Sequence, residues 1–407
     1  MTIKANPERA LRDLYHLRSI GTYKTGVHRP TLSEDDLVTR HWLVDQLKDI
    51  GHEAWIDGIG NVISRTPATG NKLLAGSHLE TQSHAGWLDG ALGVVYALEA
   101  ARAVVEAGRT DIGVEVFAFA DEEGHFGSFT GSRSLTGELT ESDIDQRADR
   151  TTGRPLRQAI ADAGLSGVPR HRVEPARYVG MLEAHIEQGD WLESQDLHIG
   201  VVTSIVAIWQ YKIVFEGVQN HAGTTRMAIR KDAGVALRRF CQRVEERFPE
   251  VCGERSVWTV GQISMEPGAP SIIPGRAEMI LQFRDDDMET LLRLEATVRE
   301  LVAEANAAGP CKASWETTNQ NKPALMDQSI QSALDAGGAV YAPGKHARMP
   351  SGAGHDAQMM AQLMPAGMMF IPSIGGISHH WTEDSTDADI MRGAQVYADA
   401  AARILGA

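Results

Sequence analysis

The sequence predicts an α/β fold in which a domain with a mostly parallel central sheet, flanked by helices, carries an inserted ferredoxin-like domain. Three observations support this prediction. The 407 residues exceed what one hydrophobic core usually organises, so two or three domains are expected. Strand-like and helix-like segments alternate in the first part of the chain, as they do in parallel α/β sheets. A later stretch follows the order βαββαβ, which is that of the ferredoxin-like sandwich.

The elements of the first part place polar residues at the ends of strands. Ser33 and Asp36 resemble a capping box for a helix over TRHWLVDQLKDI, which ends near Gly51. The apolar run KLLAGS predicts a buried strand just before His78. A helix over DGALGVVYALEAARAVVEAG begins at Asp89, and the strand VEVFAFA follows it. Open α/β sheets bind ligands beyond the carboxyl ends of their strands, which is where these polar residues are expected.

A complete second set of elements lies between residues 208 and 325. Strands are predicted over WQYKIVFEGV, SVWTVGQISM, GRAEMILQFR and CKASWETT, and helices over IRKDAGVALRRFCQRVEERF and METLLRLEATVRELVAEANAAG. We therefore assign residues 208–325 to the inserted domain, and residues 1–207 with 326–407 to the domain that surrounds it. The surrounding domain is predicted to end with a helix over ADIMRGAQVYADAAARIL.

Composition and charge exclude several classes of partner. The formal net charge of −15 repels phosphate backbones and anionic membrane surfaces, so neither nucleic acid nor a membrane is expected as a partner. To bind an anionic small substrate, the protein would need a local cation that overcomes the repulsion from its overall negative charge. The cysteines Cys241, Cys252 and Cys311 do not suggest a disulfide framework. Because the sequence shows neither an apolar secretory core nor a bilayer-spanning stretch, a cytoplasmic protein is expected.

Short glycine-flanked segments carry side chains of the types that bind zinc-like ions, namely His78, Asp89, Glu122, Glu123, His185 and His379. Such a set can hold two divalent ions with a shared carboxylate, and one glutamate then remains as a base. Because no thiolate takes part, the set suits catalytic zinc, manganese, cobalt or nickel better than a structural zinc. We assign Glu123 to metal binding and Glu122 to proton transfer. The pattern indicates a hydrolase.

Each of these residues also has a structural interpretation. Asp89 could simply cap a helix, and Glu122 with Glu123 could form a solvated turn. A single histidine is more often a surface or hydrogen-bonded residue than a ligand. On that basis four histidines are interpreted as structural: His84, His125, His346 and His380. Joint occurrence across five segments favours the functional interpretation, because independent capping and surface roles would not assemble a complete dinuclear set.

The sequence resembles the hydantoinase/carbamoylase amidases over nearly its whole length. This family, a branch of the dinuclear-metal aminoacylase and carboxypeptidase superfamily, includes N-carbamoyl-L-amino acid hydrolases, allantoate amidohydrolases and β-ureidopropionases. The resemblance rests on GSHLET, GWLDGALGV, DEEG, EAHIEQG, NHAGTTRM, IIPG, SGAGHDA and GISHHW. It implies cleavage of the C–N bond of an N-carbamoyl amino acid or a related ureido or amide substrate. It also implies a metal-binding catalytic domain and an inserted lid that forms a homodimer.

The resemblance implies a role for each matching residue. The metal ligands would be His78, Asp89, Glu123, His185 and His379, with Asp89 bridging two ions and Glu122 as the base. Gln188 and Gly354 match substrate contacts, and Arg284 matches an arginine that binds the substrate carboxylate. His221 matches a histidine that reaches the substrate from the partner subunit and stabilises the developing oxyanion. As alternatives, His221 could belong to the lid core and Arg284 could pair with a neighbouring acid.

Four positions depart from the family pattern. Glu80 replaces an aspartate that orients the imidazole of His78, and one extra methylene would shift that carboxylate and change metal affinity or metal choice. Ser271 replaces a substrate-binding asparagine and Gln282 replaces an aspartate, while Arg226 stands where proline is common. Because the last three cluster at the carboxylate-binding end, the substrate is less certain than the hydrolytic chemistry.

Two other functions stay open from the sequence. An N-acyl amino acid hydrolase or dipeptidase would use the same dinuclear site, and the altered residues Ser271 and Gln282 allow it. A metal-stabilised binding or scaffold dimer without catalysis is the alternative from another class. Glu122 argues against it, because a site without catalysis has no use for a base beside the ligands.

Overall fold

The structure, a computed structural model, describes residues 3–407. It divides into two compact units, a larger one of Met1–Ser204 with Leu325–Ala407 and a smaller one of Ile205–Ala324. Among residues 3–407, every helix is too short or too polar to cross a bilayer.

The larger unit alternates helices and strands. Its first half contains α1 (Pro7–Arg18), β1 (Thr22–Tyr23), β2 (Gly26–Val27), α2 (Glu34–Asp49), β3 (Glu53–Ile56), β4 (Val62–Arg65), β5 (Asn71–His78), α3 (Ala91–Glu106), β6 (Ile112–Phe119), α4 (Thr130–Thr136), α5 (Glu141–Gln146), α6 (Leu156–Asp162), β7 (Gly180–Ile186), α7 (Trp191–Ser194) and β8 (Ile199–Ile205). The capping prediction for α2 is confirmed, since the Ser33 side chain accepts a hydrogen bond from the Asp36 N–H.

The smaller unit follows in the chain with the order βαββαβ. Its elements are β9 (Ala207–Glu216), β10 (Asn220–His221), α8 (Ala233–Arg247), β11 (Val257–Glu266), β12 (Ile272–Ile273), β13 (Arg276–Asp285), α9 (Met288–Ala308) and β14 (Lys312–Gln320). The main sheet has the order β11-β13-β9-β14, with every pairing antiparallel. Alternate side chains of β9 and β13 are buried and pack with residues of α8 and α9 in one apolar core. This arrangement is a ferredoxin-like sandwich.

The chain then completes the larger unit. The remaining elements are β15 (Ala324–Leu325), α10 (Gln328–Tyr341), β16 (His346–Ser351), α11 (Asp356–Met360), β17 (Ala366–Ile371) and α12 (Asp387–Leu405). The sheet has the order β15-β8-β17-β7-β5-β6-β4-β3, and β16 pairs with β8. Its central strands β17, β7, β5 and β6 are parallel to one another. The predicted fold class is therefore confirmed.

Helix α3 packs unusually close to the sheet. Its residues from Ala91 to Val104 are all buried, and most of them are alanine, valine, leucine or glycine. At Gly93 a Cβ atom would lie 2.2 Å from the carbonyl oxygen of Ala184 in β7 and 2.7 Å from Cβ of Ser77 in β5. A side chain there would collide with the backbone of β7, so glycine is what permits this approach.

Candidate active site

The candidate metal ligands lie together at the carboxyl edge of the parallel strands. His78 is the last residue of β5, and His185 lies in β7, its neighbour in the sheet. Glu123 follows β6 on the other side of β5, and Asp89 precedes α3. His379 comes from the loop between β17 and α12. Because parallel strands end at the same edge, segments far apart in sequence contribute to one site.

Asp89 stands between two groups of potential ligands. Its Oδ1 atom lies 3.3 Å from Nε2 of His78 and 3.0 Å from Nε2 of His185. Its Oδ2 atom lies 3.6 Å from Nε2 of His379, and that nitrogen lies 3.6 Å from Oε2 of Glu123. Within each group, the candidate ligand atoms all lie within 4.8 Å of one another. One carboxylate therefore offers one oxygen to each group.

Two of the histidines have defined tautomers. Nδ1 of His78 lies 3.0 Å from the main-chain oxygen of Glu80, and Nδ1 of His185 lies 2.9 Å from that of Ile186. Because a carbonyl oxygen only accepts, each Nδ1 carries a proton, and each Nε2 faces Asp89 as a potential ligand atom. Nitrogen and oxygen donors in this arrangement suit divalent transition metals.

Without metal, the same residues form buried ion pairs. Burial lowers the pKa of His78, but the carboxylates of Glu122, Asp89 and Glu80 outweigh it and raise that pKa well above the ordinary value. The pKa of His185 is raised in the same way, because Asp89 outweighs burial. Burial raises the pKa of Asp89, but the two imidazoles outweigh it and hold that pKa well below its usual range. Metal ions would take the place of these protons.

The two adjacent glutamates have different surroundings. Glu123 accepts hydrogen bonds at Oε1 from the main chain of Gln82 (3.2 Å) and at Oε2 from its side-chain amide (2.7 Å). Oε2 of Glu122 lies 3.7 Å from Nε2 of His78. Burial, then the carboxylates of Glu123, Asp356 and Asp89, raise the pKa of Glu122 well above the ordinary value, although His78 opposes this. Glu122 thus faces the site, whereas Glu123 belongs to a ligand group.

Asp121 shapes the turn that carries both glutamates. It has a φ of 59° and is buried. Its carboxylate accepts hydrogen bonds from the hydroxyls of Thr31 (2.9 Å) and Thr130 (2.7 Å) and from the N–H groups of Phe126 and Gly127. Burial, only partly offset by these bonds, raises its pKa to about 6. Asp121 is therefore a structural residue of the DEEG segment.

Gln188 contacts Asp89 from the loop after β7. Its Nε2 atom donates to Oδ2 of Asp89 (2.8 Å) and to Oγ of Ser378 (3.1 Å). Its φ of 60° places the residue in the left-handed region, which non-glycine residues rarely adopt. Its Oε1 atom is buried and meets no hydrogen-bond donor among the described residues. The side chain that contacts Asp89 thus carries a buried acceptor that no described residue satisfies.

Glu383 is a residue of this site that the sequence interpretation missed. Its fully buried carboxylate accepts hydrogen bonds from the N–H groups of Leu88 (3.3 Å) and Asp89 (3.1 Å), and Ser378 donates to it at 3.3 Å. It therefore connects the loop of His379 to the start of α3, where Asp89 lies. Its only signal in the sequence is its position four residues after His379.

Gly354 lies in the loop before α11, next to the buried His355. The ring of His355 lies 4.8 Å from that of His185, and Ser351 Oγ lies 2.9 Å from its Nε2 atom. A Cβ atom at Gly354 would lie 2.8 Å from the ring of Phe129. The glycine therefore fits a crowded turn one residue away from the histidine that packs on His185.

His221 and Ser271 are neighbours in the smaller unit. His221 pairs with Ile272 in the ladder of β10 and β12, and the N–H of Ala222 donates to the Ser271 carbonyl oxygen at 2.8 Å. His221 is exposed, so it does not belong to the core of this unit. Its Nδ1 atom accepts from the N–H groups of Gly223 (3.0 Å) and Thr224 (3.2 Å). The ring proton is therefore on Nε2, which can donate to an oxyanion.

Arg284 lies near the end of β13 and is hydrogen-bonded to a pair of glutamine side chains. Its Nε atom donates to Oε1 of Gln282 at 3.0 Å, and Nε2 of Gln282 donates to Oε1 of Gln210 at 3.0 Å. Gln282 is neutral, so this contact does not offset the charge of the guanidinium. Burial lowers the pKa of Arg284, which remains a cation at neutral pH.

Comparison with known proteins agrees with this fold. The model of peptidase family M20/M25/M40 matches residues 76–403. The N-carbamoyl-L-amino-acid amidohydrolase of Paenarthrobacter aurescens is 33% identical over 404 residues, which cover 97% of each protein. The allantoate amidohydrolase of Bacillus subtilis (strain 168) is 31% identical over 383 residues, which cover 89% of this chain and 90% of that protein. A solved amidase of the hydantoinase/carbamoylase family from Burkholderia phymatum has a TM-score of 0.91 and 42% identity, and the match covers 100% of this chain and 99% of that one.

Proposed function

We propose that this chain, which belongs to peptidase family M20/M25/M40 and to its hydantoinase/carbamoylase amidases, hydrolyses a C–N bond of an N-carbamoyl amino acid or a related ureido compound. Relatives named as N-carbamoyl-L-amino-acid amidohydrolase and allantoate amidohydrolase, each matched over most of its length, support this substrate class. The reaction belongs to the hydrolysis of carbon–nitrogen bonds other than peptide bonds.

The observation that carries this proposal is the position of Asp89 between two ligand groups. Its Oδ1 atom faces His78 and His185, and its Oδ2 atom faces His379. Half of the His379 side chain is exposed, at 51%, so the second group lies open to a substrate. We assign one divalent ion to each group, with zinc, manganese, cobalt and nickel as the candidates that match imidazole and carboxylate donors.

Glu122 is the residue that moves protons in this mechanism. Bound divalent ions supply Lewis acidity and lower the pKa of water. Glu122 accepts a proton from the attacking water and returns it to the departing nitrogen, a role that typically contributes 10²- to 10⁴-fold in rate. Its raised pKa without metal shows that its environment retains a proton readily, and bound cations would oppose that shift.

The remaining residues orient the substrate. The Oε1 atom of Gln188, which has no donor within the described chain, accepts a hydrogen bond from the carbamoyl nitrogen. Arg284 binds the substrate carboxylate, and the hydroxyl of Ser271 and the backbone of Gly354 provide further contacts. In a homodimer, the Nε2–H group of the partner subunit's His221 donates a hydrogen bond to the substrate oxygen that becomes negative.

A substrate panel tests the proposed function. Protein reconstituted with each of the four metals is assayed for ammonia release from N-carbamoyl amino acids and allantoate, and for amine release from N-acyl amino acids and dipeptides. We expect ammonia from at least one ureido substrate. Turnover of N-acyl compounds alone would favour an acyl amino acid hydrolase, and substrate-induced thermal stabilisation without any product would favour a binding protein.

Exchanging Glu122 for glutamine tests the division of roles between the two glutamates. Glu122→Gln should reduce kcat by about 10²-fold or more while two metal ions per chain remain, as measured by elemental analysis. Glu123→Gln should lose metal instead. The exposed Glu174 provides a matched control, since Glu174→Gln should retain both properties. Metal loss in Glu122→Gln would show that the two assignments are reversed.

A complementation experiment tests the role of His221 across a dimer. The inactive variants His221→Ala and Glu122→Gln are mixed, unfolded and refolded together. If His221 acts on the partner subunit's site, half of the random dimers are mixed and each has one complete site, so about a quarter of the wild-type rate should return. If His221 acts within its own chain, no site in a mixed dimer is complete and the mixture stays inactive.

A further inference from the structure

A buried charge network lies behind the candidate base. Arg40 on α2 is fully buried, as are Asp36 and Glu80. Its Nε atom donates to Oδ1 (2.9 Å) and Oδ2 (3.0 Å) of Asp36, and its Nη2 atom donates to Oε2 of Glu80 (2.5 Å). Removing one member of such a network leaves an uncompensated buried charge, so the three side chains depend on one another.

Arg40 also contacts the end of the strand that leads to Glu122. Its Nη1 atom donates to the main-chain oxygens of Ala118 and Phe119, each at 3.3 Å, and to that of Gly60 at 2.9 Å. Phe119 is the last residue of β6. The guanidinium therefore fixes the backbone from which the turn with Glu122 begins.

The second oxygen of Glu80 reaches Glu122 and not His78. Its Oε1 atom accepts a hydrogen bond from the N–H of Glu122 at 2.6 Å. The same oxygen lies 3.9 Å from Nδ1 of His78, which is too far for a hydrogen bond. His78 Nδ1 is paired instead with the main-chain oxygen of Glu80, at 3.0 Å. The shift of this carboxylate that the extra methylene predicts therefore agrees with its contacts.

The extra methylene of glutamate explains these contacts. An aspartate on the same backbone would place its carboxylate about 1.5 Å closer to the main chain. It could not then keep both the guanidinium of Arg40 and the N–H of Glu122 within hydrogen-bonding distance. The Glu80 side chain is thus long enough to bond to Arg40 on α2 and to the N–H of Glu122 in the turn after β6.

We propose that Glu80, held by Arg40, is a positioning residue for Glu122 and that its carboxylate is not required for metal binding through His78. This inference rests on the proposed function, because it assigns the proton transfer to Glu122. A carboxylate anchored on one side by a buried guanidinium fixes the main chain of the base on the other. A displacement of about 1 Å at such a position can cost about 10²-fold in rate.

Glu80→Asp tests this proposal without removing the charge. We expect kcat to fall by roughly 10- to 100-fold with KM changed less than threefold, and the affinity for metal, measured by competition with a chelating indicator, to stay within threefold of wild type. A 10- to 100-fold loss of metal affinity, as expected for a carboxylate that orients a ligand, would overturn the proposal. An unchanged kcat would also overturn it.

Glu115 provides a matched control on β6, the strand that leads to Glu122. It is fully buried, bonds to Arg177 and Tyr178, and accepts the N–H of Thr66, so its chemistry resembles that of Glu80. It lies four residues before the end of β6, roughly 13 Å along the strand. Glu115→Asp should lower Tm while kcat and metal affinity stay at wild-type values. If Glu80→Asp behaves like Glu115→Asp in every measurement, the positioning role is excluded.

Amide hydrogen exchange separates this inference from the proposed function. The N–H of Glu122 should exchange faster in Glu80→Asp than in wild type, and at the wild-type rate in Glu115→Asp. This measurement needs no substrate. It therefore tests the hydrogen bond between Glu80 and the N–H of Glu122 even if the protein hydrolyses none of the substrates in the panel. Arg40→Lys, if it folds, should reproduce both the faster exchange and the loss of kcat.

Discussion

At the scale of single residues, several candidate metal ligands hold protons more strongly than usual when no metal ion is bound. Asp89 and its neighbours raise the pKa of His78 and His185, and burial together with the carboxylate of Asp89 raises the pKa of Glu123. All three side chains must lose their protons to act as ligands. Metal binding and proton release are therefore coupled in this chain.

This coupling predicts how many protons leave on metal binding. If the imidazoles of His78 and His185 had an ordinary pKa of about 6.5, together they would release about one proton on metal binding at pH 6.5. Because their pKa values are raised, both imidazoles are charged at this pH, and about two or more protons should be released. Titration calorimetry of metal binding at pH 6.5, repeated in buffers of different ionisation enthalpy, gives this number as a slope. The slope should decrease as pH rises through the raised pKa values. A value of one or less would contradict the ion-paired description of the site.

Gly90 is predicted to be essential for the position of His78. It has a φ of 68°, and a Cβ atom there would lie 2.4 Å from the imidazole ring of His78. Gly90→Ala should therefore cost about 1–2 kcal/mol in backbone strain and also push the ring from Asp89. We expect a lower Tm and at least tenfold weaker metal binding. Gly51→Ala has a similar φ of 82° with no heavy atom within 4 Å, so it should lower Tm without changing metal affinity.

At the scale of elements, the close approach of α3 to β7 determines where Asp89 and His185 meet. The Cβ of Gly93→Ala would press on the Ala184 carbonyl, next to His185. Overpacking of this kind costs about 1–3 kcal/mol, and we expect a comparable loss in the free energy of unfolding by urea. Gly261→Ala on β11 meets no heavy atom within 4 Å and should be neutral or slightly stabilising. Equal effects of the two variants would show that α3 adjusts freely.

Elements with a clear apolar or alternating pattern could be predicted from the sequence, whereas a fully buried strand that carries charged residues could not. Strand β13 alternates buried and half-buried residues, and the segment GRAEMILQFR predicts it within one residue. Strand β7 is buried throughout yet contains Glu183 and His185, so neither alternation nor an apolar run marks it. Its charged residues are tolerated because Glu183 accepts from Ser77 (2.7 Å) and from the N–H of Ala357 (2.8 Å).

The same limit applies to the site. Residue types and motifs indicated a set of six side chains, and the structure brings them together at one sheet edge. The partners that hold them were not evident, because Arg40 and Glu383 act through contacts between segments far apart in sequence. The direction of the Glu80 side chain depends on one methylene and one buried guanidinium, which no local pattern contains.

At the scale of the whole molecule, each unit has its own apolar core. The core of the smaller unit runs from Ala207 to Ala313, and the main core of the larger unit contains none of these residues. Within the larger unit, the N–H of Met326 donates to the Thr203 carbonyl oxygen at 2.9 Å, so the points where the insertion leaves and returns are adjacent. In the smaller unit, the N–H of Ile208 likewise donates to Oδ1 of Asn321 at 2.6 Å. Units of this kind can fold separately.

Removing the smaller unit should therefore separate metal binding from catalysis. In a variant in which a Gly–Ser linker of about four residues joins Ser204 to Leu325, the parallel sheet and all five candidate ligands remain. We expect cooperative thermal unfolding and two metal ions per chain at wild-type affinity, because no ligand comes from residues 205–324. Ammonia release should be lost, because His221, Ser271 and Arg284 are absent. Loss of metal from this variant would contradict the ligand assignment, and retained turnover would contradict the roles given to those three residues.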